Sequence, residues 1–543
     1  MGKLNGRGTT AALAAGALVG LATTPALAAP DDPASLGPSS EIAPYVIPAA
    51  DGVKTKSLIT VDGKLGDGGE ASNGYELAGI PDGLGAFRVG GQRFRLFANH
   101  ELGADRTTGA PLGGIRRHGQ AGAFVSAWTI NSRTWEVEEG YDLIDPGVRF
   151  WNYPERTYQD APSPAGDNPR TFGTEEPNVP NDDFVAQTAY FNRFCSNNLT
   201  RRGQLYNART GRGYLGRVFF PNEEAGVEGR VFGTLENGTT KQLPRLGLFS
   251  WENTLAAYNR SDTTLVVGNE DTAEGQVWAY VGDKRRRGDG FDRAGLTDGS
   301  NFVVDLENEL VDDDLDFRTV IGKGKSARFD LAEVDWDQSG AAQNQEAKAE
   351  GLTLNRVEDG VWDPRSPNTY YFLTTEGGDK TPHPADGPAR DGGGLWRMTF
   401  DDIEHPQDGG KLELVLDGSE APYLNKPDNL DLDRHGNLLI QEDPGNNPHV
   451  ARIVAYDIHD GGRGVVAQFD PALFAPVAPT TEAVMTIDEE SSGIIDARRA
   501  VGEGWWLFDA QVHLRTADPV TVEEGQLLAL KVDDWDAVYT IDG

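Results

Sequence analysis

The chain repeats one short phrase that restricts its fold: a turn rich in Asp, Asn or Pro, followed by a short strand that ends in acidic or hydroxyl groups. Segments 258–271, 362–375 and 430–443 each carry this phrase. The 67 glycines and 31 prolines are spread along the chain rather than gathered in linkers, so turns recur throughout. A repeated turn–strand–acid unit predicts an all-β fold, a β-propeller whose strand ends converge near one axis. A sandwich built from similar hairpins is the alternative.

Seven apolar or β-branched runs show the clearest strand pattern, each with Asp, Asn, Gly or Pro close by. They are residues 94–98, 123–130, 264–267, 276–281, 369–374, 436–441 and 452–456. Helical periodicity is almost absent, and residues 341–350 are the best helix candidate. The stretches 154–183 and 379–393, rich in Pro, Gly and Asp, are typical of long surface loops.

The N-terminus has the pattern of an export signal. Lys3 and Arg7 precede an apolar run, which closes with the small-x-small sequence Ala26-Leu27-Ala28 that a signal peptidase recognises. The alternative is a membrane anchor, but the run is shorter than the roughly 20 apolar residues that span a bilayer. We therefore expect a secreted protein exported by the Sec route. The predicted organisation is a signal peptide over residues 1–29, an N-terminal lead segment over 30–78 and a propeller domain over 79–543.

The charge balance excludes whole classes of partner. With 49 basic and 85 acidic residues, the net charge is −36, so nucleic acid and anionic membranes repel the chain. The excess acid serves either solubility or the binding of hard cations such as Ca²⁺, which take six to eight oxygen ligands. Cys195 is the single cysteine, so an internal disulfide is excluded. Because an exposed thiol outside the cell oxidises, we expect Cys195 to be buried or bound.

Several acidic residues follow apolar runs directly. Glu223 follows "RVFFPN", and Glu252 lies in "LGLFSWEN". A carboxylate beside a core is costly to bury unless a cation or hydrogen bonds satisfy it. Several such groups meeting at one axis would form a polynuclear metal site. Cys195, as a thiolate, suits a metal such as iron, whereas as a thiol it is a small buried apolar residue. Nucleophile elbows, Walker loops and zinc-hydrolase motifs do not occur.

These clusters, in this order, resemble the PhoX-type bacterial alkaline phosphatases. The resemblance extends from about Gly79 to His513 and rests on eleven collinear motifs rather than on any one of them. The motifs are IPDGLGAF, ANHE, HGQAGAFVSAW, FCSNN, PNEE, LGLFSWEN, VVGNEDT, NRVEDGVWDP, KPDNLDLDRHGNLLIQED, DEESSG and DAQVH.

The resemblance implies a six-bladed propeller with iron and calcium ions (Fe³⁺ and Ca²⁺) at its axis, and a phosphomonoesterase acting on a small phosphate ester. Arg356 would bind the phosphate; an ion pair with Glu358 or Asp359 is its alternative role. The implied metal ligands are Cys195, Glu223, Glu252, Glu270, Glu358, Asp428 and Glu490.

Two features depart from the family pattern. No Arg-Arg pair precedes the apolar run, whereas PhoX-type enzymes usually carry a twin-arginine signal. Cys195 and Glu223 are also further apart than in the family, which leaves the choice between Glu223 and Glu224 open. A calcium-dependent phytase- or lactonase-like propeller and a non-enzymatic calcium-stabilised binding propeller are the rival functions. The sequence does not predict an oligomeric state.

Overall fold

The computed structural model of the chain describes residues 33–165, 185–377, 392–445, 450–477 and 482–543. The predicted signal peptide, residues 1–29, lies outside the described residues, as does much of the loop stretches 154–183 and 379–393. The described part is built almost entirely from strands, and each of the seven predicted runs lies in or overlaps one of them. The predicted all-β class is confirmed.

The strands form six blades around one axis, antiparallel except for the parallel pairing of Ala34–Leu36 with Val53–Thr60. Blades 3 and 4 join into one nine-stranded sheet, because Ser326–Val334 pairs with Gly410–Asp417. Blade 1 contains Pro81–Gly90, Arg93–His100, Phe124–Asn131 and Val137–Asp142, and blade 2 contains Val218–Phe219, Phe232–Leu235 and Thr240–Gln242. Blade 3 contains Trp251–Ala256, Thr263–Glu270, Val277–Asp283, Ser300–Leu306 and Ser326–Val334, and blade 4 contains Val357–Trp362, Thr369–Thr374, Gly394–Phe400 and Gly410–Asp417. Blade 5 contains Pro427–Leu432, Asn437–Glu442, Arg452–Asp457, Arg463–Phe469 and Val46–Pro48, and blade 6 contains Glu489–Asp496, Trp505–Arg515, Glu523–Val532, Val53–Thr60 and Ala34–Leu36.

The ring closes through strands from both ends of the chain. Val53–Thr60 pairs with Glu523–Val532 in blade 6, and Val46–Pro48 pairs with Arg463–Phe469 in blade 5. These early strands fall inside residues 30–78, the predicted lead segment. That segment therefore supplies the outer strands of two blades.

The blades pack through large apolar side chains. In blade 3, the Phe249 ring stacks between Trp251 and Trp278, with centroid distances of 3.8 Å and 4.5 Å. A Cβ on Gly268 would lie 2.3 Å from the Trp251 ring, so only glycine lets the ring approach this strand. Each such aromatic pair adds about 0.5–1.5 kcal/mol beyond its area burial.

Helices are short and lie between strands. The predicted helix is confirmed as Gly340–Glu350, where the Ser339 hydroxyl caps the N-terminus by accepting from the Ala342 N–H at 3.3 Å. Hairpins Phe150–Asn152/Thr157–Gln159 and Tyr206–Asn207/Arg212–Gly213 complete the strands. The other helical segments are Gly226–Glu228, Pro244–Leu246, Gly290–Ala294, Asp314–Asp316, Phe317–Ile321, Pro406–Asp408, Pro471–Phe474 and Ala497–Arg499. Within the described ranges, no helix has the length and apolar character needed to cross a membrane.

Candidate metal centre

Buried carboxylates from different blades meet around Cys195 at one end of the central channel. Three groups of side chains each bring their ligand atoms within 4.8 Å of one another. Cys195 and Glu252 each belong to two groups, so the three groups form one continuous cluster. The groups are Asp82–Glu101–Cys195, Cys195–Glu224–Glu252 and Glu252–Glu358–Asp428. We call these seven residues the axial cluster.

Cys195 lies at the middle of the axial cluster. Its thiol donates to Asp82 Oδ2 at 3.2 Å and to Glu252 Oε2 at 3.0 Å. Burial, followed by repulsion from Asp82 and Glu252, raises the pKa of the thiol well above its ordinary value. Without a cation, this surrounding keeps Cys195 protonated. A bound metal reverses that preference, because a coordinating thiol is deprotonated.

Breaks in strand register aim the acidic side chains into the channel. The pairing of the first strand of blade 3 with its neighbour shifts between Trp251 and Asn253, so Glu252 falls in the irregularity. The same shift occurs in blade 4, at Glu358 and Asp359, and in blade 5, at Asp428 and Asn429. A β-bulge redirects a side chain that strict alternation would place elsewhere. Three of the seven members of the axial cluster therefore owe their direction to bulges.

The axial cluster carries more negative charge than its own surroundings neutralise. Burial, followed by repulsion between neighbouring carboxylates, raises the pKa of Asp82 and Glu252 well above the ordinary range. Glu252 Oε1 is buried and has no hydrogen-bond partner in the described part of the chain. Burial, followed by repulsion from Glu490, also raises the pKa of Asp509. Both carboxyl oxygens of Asp509 are buried without a hydrogen-bond partner among the described residues. Such groups are costly unless a cation is bound.

A repeated backbone conformation places basic residues beside the axial cluster. The residue directly before the first strand of blades 1, 4 and 5 has a positive φ: Ile80 (49°), Arg356 (56°) and Lys426 (48°). Arg193 (51°) precedes residues 194–199 in the same way, and this segment bridges blade 2 through the pairs Phe194–Glu223 and Leu199–Phe219. Positive φ is uncommon for residues with a Cβ and clusters at functional sites. Three of the four residues are basic, so three blades contribute a cation at an equivalent position.

Arg356 is held firmly in place. Its Nε and Nη2 donate to the two carboxyl oxygens of Asp271, both at 2.8 Å, and Nη2 lies 3.3 Å from Glu358 Oε1. Attraction to Glu358, with the Asp271 hydrogen bonds, raises the pKa of the guanidinium. Arg193 similarly lies between Glu101 and Glu224, and Lys426 Nζ lies 3.9 Å from Asp443. The ion pair predicted for Arg356 is present, and its side chain remains 30% exposed.

The structure places the two adjacent glutamates of "PNEE" in different environments. The Glu223 carboxylate accepts two hydrogen bonds from the Arg230 guanidinium, at 2.6 Å and 2.7 Å, on the side away from Cys195. Glu224 lies in the axial cluster. The geometry therefore favours Glu224 over Glu223 as the metal ligand, because neighbouring side chains along an extended chain point to opposite sides.

Glu270 also lies apart from the axial cluster. It is fully buried and accepts from Trp278 Nε1 at 2.9 Å, and burial raises its pKa to about 7. The neighbouring Asp271 instead pairs with Arg356. Glu490 lies at the edge of the cluster, 3.5 Å from His513 Nε2. Although burial opposes it, the hydrogen bond to His513 lowers the pKa of Glu490.

Of the predicted ligands, the structure brings Cys195, Glu252, Glu358 and Asp428 together. The first-blade members Asp82 and Glu101 were not among the predicted ligands. Both were present in quoted motifs, Asp82 in "IPDGLGAF" and Glu101 in "ANHE". An acidic residue in nine of the eleven collinear motifs was the signal that could have identified them.

The donor set fits metal ions of two kinds. Carboxylate oxygens suit hard cations such as Ca²⁺, and a thiolate among carboxylates suits iron. Unpartnered oxygens on Glu252 and Asp509 are the acceptors that such ions would satisfy.

Two comparisons with known proteins bear on the family resemblance and the fold. A family model described as alkaline phosphatase PhoX matches residues 233–471. The structure of Pseudomonas fluorescens PhoX in complex with vanadate, a transition state analogue, is similar to this chain. It has 14% identity, a TM-score of 0.55, and coverage of 93% of this chain and 99% of that chain. The predicted resemblance and the propeller fold are confirmed.

Other similar structures have TM-scores too low to support a conclusion about this chain. The NanB sialidase from Streptococcus pneumoniae has 8% identity, a TM-score of 0.34, and coverage of 84% of this chain and 69% of that chain. A luciferin-regenerating enzyme has 8% identity, a TM-score of 0.30, and coverage of 84% and 92%. Among curated protein sequences, none matches the chain.

Proposed function

We propose that the chain is a secreted phosphomonoesterase of the alkaline phosphatase type, with a polynuclear iron and calcium site at the propeller axis. The observation that carries this proposal is the meeting of a buried thiol, buried carboxylates and a fixed, partly exposed arginine at one end of the channel. The PhoX family match supports the reaction class. The proposed ligands are Cys195, Asp82, Glu101, Glu224, Glu252, Glu358 and Asp428, with Glu490 at the edge.

The chain's own groups prepare the site for a dianionic phosphate. Asp271 holds the Arg356 guanidinium in one orientation, so that its remaining N–H groups are available to phosphate oxygens. Arg193 and Lys426 add positive charge at equivalent positions in two other blades. When bound, the metal ions would supply Lewis acidity and an activated oxygen nucleophile. This chemistry requires no serine or histidine nucleophile.

Developing negative charge on the phosphoryl group would be stabilised by a guanidinium that is already oriented. Fixed donors of this kind cost no reorganisation during the reaction, and loss of one lowers kcat by about 10²–10³-fold. His513 is hydrogen-bonded to Glu490 and Glu523. These two hydrogen bonds outweigh burial and raise the pKa of His513, so it carries a proton beside the cluster. We assign it no further role.

The proposal is tested by measuring 4-nitrophenyl phosphate hydrolysis by the secreted protein with and without EDTA, together with elemental analysis. We expect activity that EDTA abolishes and near-stoichiometric iron with calcium. Activity with calcium alone would favour the phytase- or lactonase-like rival. If wild type shows no turnover, or if Arg356→Ala leaves turnover unchanged, the enzyme proposal fails.

A further inference from the structure

We propose that the opposite end of the central channel is a second binding site, for a small amphipathic anion with an apolar body. A cavity of about 660 Å³ opens there. The first strands of five blades each carry an acidic residue near the cluster and wall residues of this cavity at the other end. The pairs are Asp82 and Ala86, Glu252 and Ala256, Glu358 and Trp362, Asp428 and Leu432, and Glu490 and Asp496. No member of the axial cluster lines the cavity, although Ser196 and Asp359, each next to a cluster residue, do, so the cavity reaches the residues beside the cluster. The proposal does not depend on the function proposed for the cluster.

Four arginines on the cavity wall lack carboxylate partners. Arg201, Arg260, Arg365 and Arg499 form no ion pair, and their guanidinium groups donate no hydrogen bond, among the residues that the structure describes. Arg201 is only partly exposed, and both Arg498 and Arg499 and the carboxylates of Asp431 and Asp496 act on its charge. Like charges brought together in this way are stabilised when an anion binds between them.

The carboxylates of the same wall are already satisfied by the protein. Asp363 accepts from the N–H groups of Arg365 and Ser366, and Asp496 pairs with Arg498. Asp402 pairs with His405, and Glu404 lies 4.0 Å from Arg209.

The two deepest acids of the wall are also hydrogen-bonded. Asp359 accepts from the N–H of Gly360 at 2.7 Å, and Asp431 accepts from the N–H of Leu432 at 2.7 Å. The wall therefore presents guanidinium donors from which no described residue accepts, whereas most of its carboxylates already accept hydrogen bonds from the protein.

Apolar side chains form a large part of the remaining wall, beside amide side chains such as Asn197 and Gln204. Leu84, Leu199, Leu255, Val361 and Trp362 lie between the arginines, and Tyr258 lies at the rim with the Arg260 guanidinium 5.6 Å from its ring centre. A volume of this size suits a small organic molecule, and apolar walls with a few placed charges are typical of such sites. An aryl or alkyl group carrying a sulfate, carboxylate or phosphate has the matching chemistry.

The experiment measures binding of 4-nitrophenyl sulfate to the full chain by titration calorimetry, with inorganic sulfate and neutral 4-nitrobenzyl alcohol as partial probes. We expect the ester to bind at least tenfold more tightly than either partial probe. Arg201→Gln and Arg499→Gln should each raise Kd about five- to tenfold. Arg133→Gln, an exposed arginine in a distant hairpin turn, is the matched control and should leave Kd unchanged.

Three results would overturn the proposal. One is a Kd that neither arginine variant changes, and another is equally tight binding of the neutral alcohol. If Arg356→Gln abolishes binding while Arg499→Gln does not, the probe occupies the metal centre and the proposal is wrong. Arg499 is exposed, so its variant is expected to fold and to retain 4-nitrophenyl phosphate turnover. That turnover separates failure of this site from failure of the proposed enzyme activity.

Discussion

Glu252→Gln is expected to change thermal stability in opposite directions with and without metal. Glu252 is buried, belongs to two of the three ligand groups and has one unpartnered oxygen. Without cations its charge is repelled by neighbours such as Glu358 and Asp428. With cations it is a ligand shared between two positions. Glutamine keeps the shape of the side chain but removes the charge.

The magnitude follows from the distances. Two charges 4.8 Å apart repel by about 3.5 kcal/mol at an effective dielectric constant of about 20. Because the raised pKa of Glu252 leaves it partly protonated, we expect removal of the charge to stabilise the metal-free protein by about 2 kcal/mol. With metal, a ligand loss that weakens binding about tenfold costs about 1.4 kcal/mol.

Differential scanning fluorimetry, run in calcium and after EDTA treatment, measures both effects. At roughly 2 °C per kcal/mol for a long chain, the Tm of Glu252→Gln should lie about 4 °C above wild type in EDTA and about 3 °C below it in calcium. Calcium content should also fall by elemental analysis. A lower Tm in both conditions, with unchanged metal content, would refute the reasoning.

Glu223→Gln is the matched control. Glu223 is equally buried and one position from the cluster residue Glu224, but its charge is paired with Arg230 at 2.6 Å. Removing one partner of a buried ion pair leaves the other uncompensated, which costs about 3–5 kcal/mol. We therefore expect Glu223→Gln to lower Tm similarly in both conditions and to retain its metals.

Three further outcomes are expected. Arg356→Lys, which cannot reproduce the two-point contact with Asp271, should lower kcat/KM for 4-nitrophenyl phosphate by about 10²-fold, and an equal loss in Arg133→Lys would contradict this. Cys195→Ser should lower iron content measured by elemental analysis while calcium is largely retained; unchanged iron would contradict the role of Cys195. Asp431 has its pKa raised to about 7, so the folded state holds its proton while the unfolded state has lost it. Its contribution to stability is therefore present below about pH 4 and lost as pH rises to 7. Denaturant titrations should show the stability of Asp431→Asn rising relative to wild type by up to about 4 kcal/mol across that window, and a pH-independent difference would contradict it.

The fold could be predicted because its signal is local and repeated. The run 369–374 coincides with the strand Thr369–Thr374, and its neighbours in blades 1, 3 and 5 shift by a few residues only. Turn chemistry and alternation are properties of adjacent residues, so the sequence contains them directly. The contribution of residues 46–60 to blades 5 and 6 was not predictable, because it depends on pairing with strands more than 400 residues away.

The site could be predicted only in part because its geometry depends on register. Cys195, Glu252, Glu358 and Asp428 were identified from acidic motifs and family resemblance. In each of the pairs Glu223–Glu224 and Glu270–Asp271, one acid belongs to a structural hydrogen-bond network and its neighbour faces the centre. Both members of each pair are acidic and adjacent in the sequence, so residue type does not distinguish them. Only alternation and bulges, which appear once strands are paired, distinguish them.

The closure of the ring through blade 6 determines when the axial cluster can be complete. The first strand of blade 6, Glu489–Asp496, contacts Pro81–Gly90 of blade 1. Val53–Thr60, which completes blade 6, can pair only after Glu523–Val532 has been synthesised. In a chain that is made from the N-terminus, Asp82 is present long before Glu489–Asp496, the blade 6 strand that contacts its own strand. If the axial cluster binds cations as proposed, it can do so with its complete ligand set only after blade 6 has closed, so the ions available at that stage would determine which metals are bound.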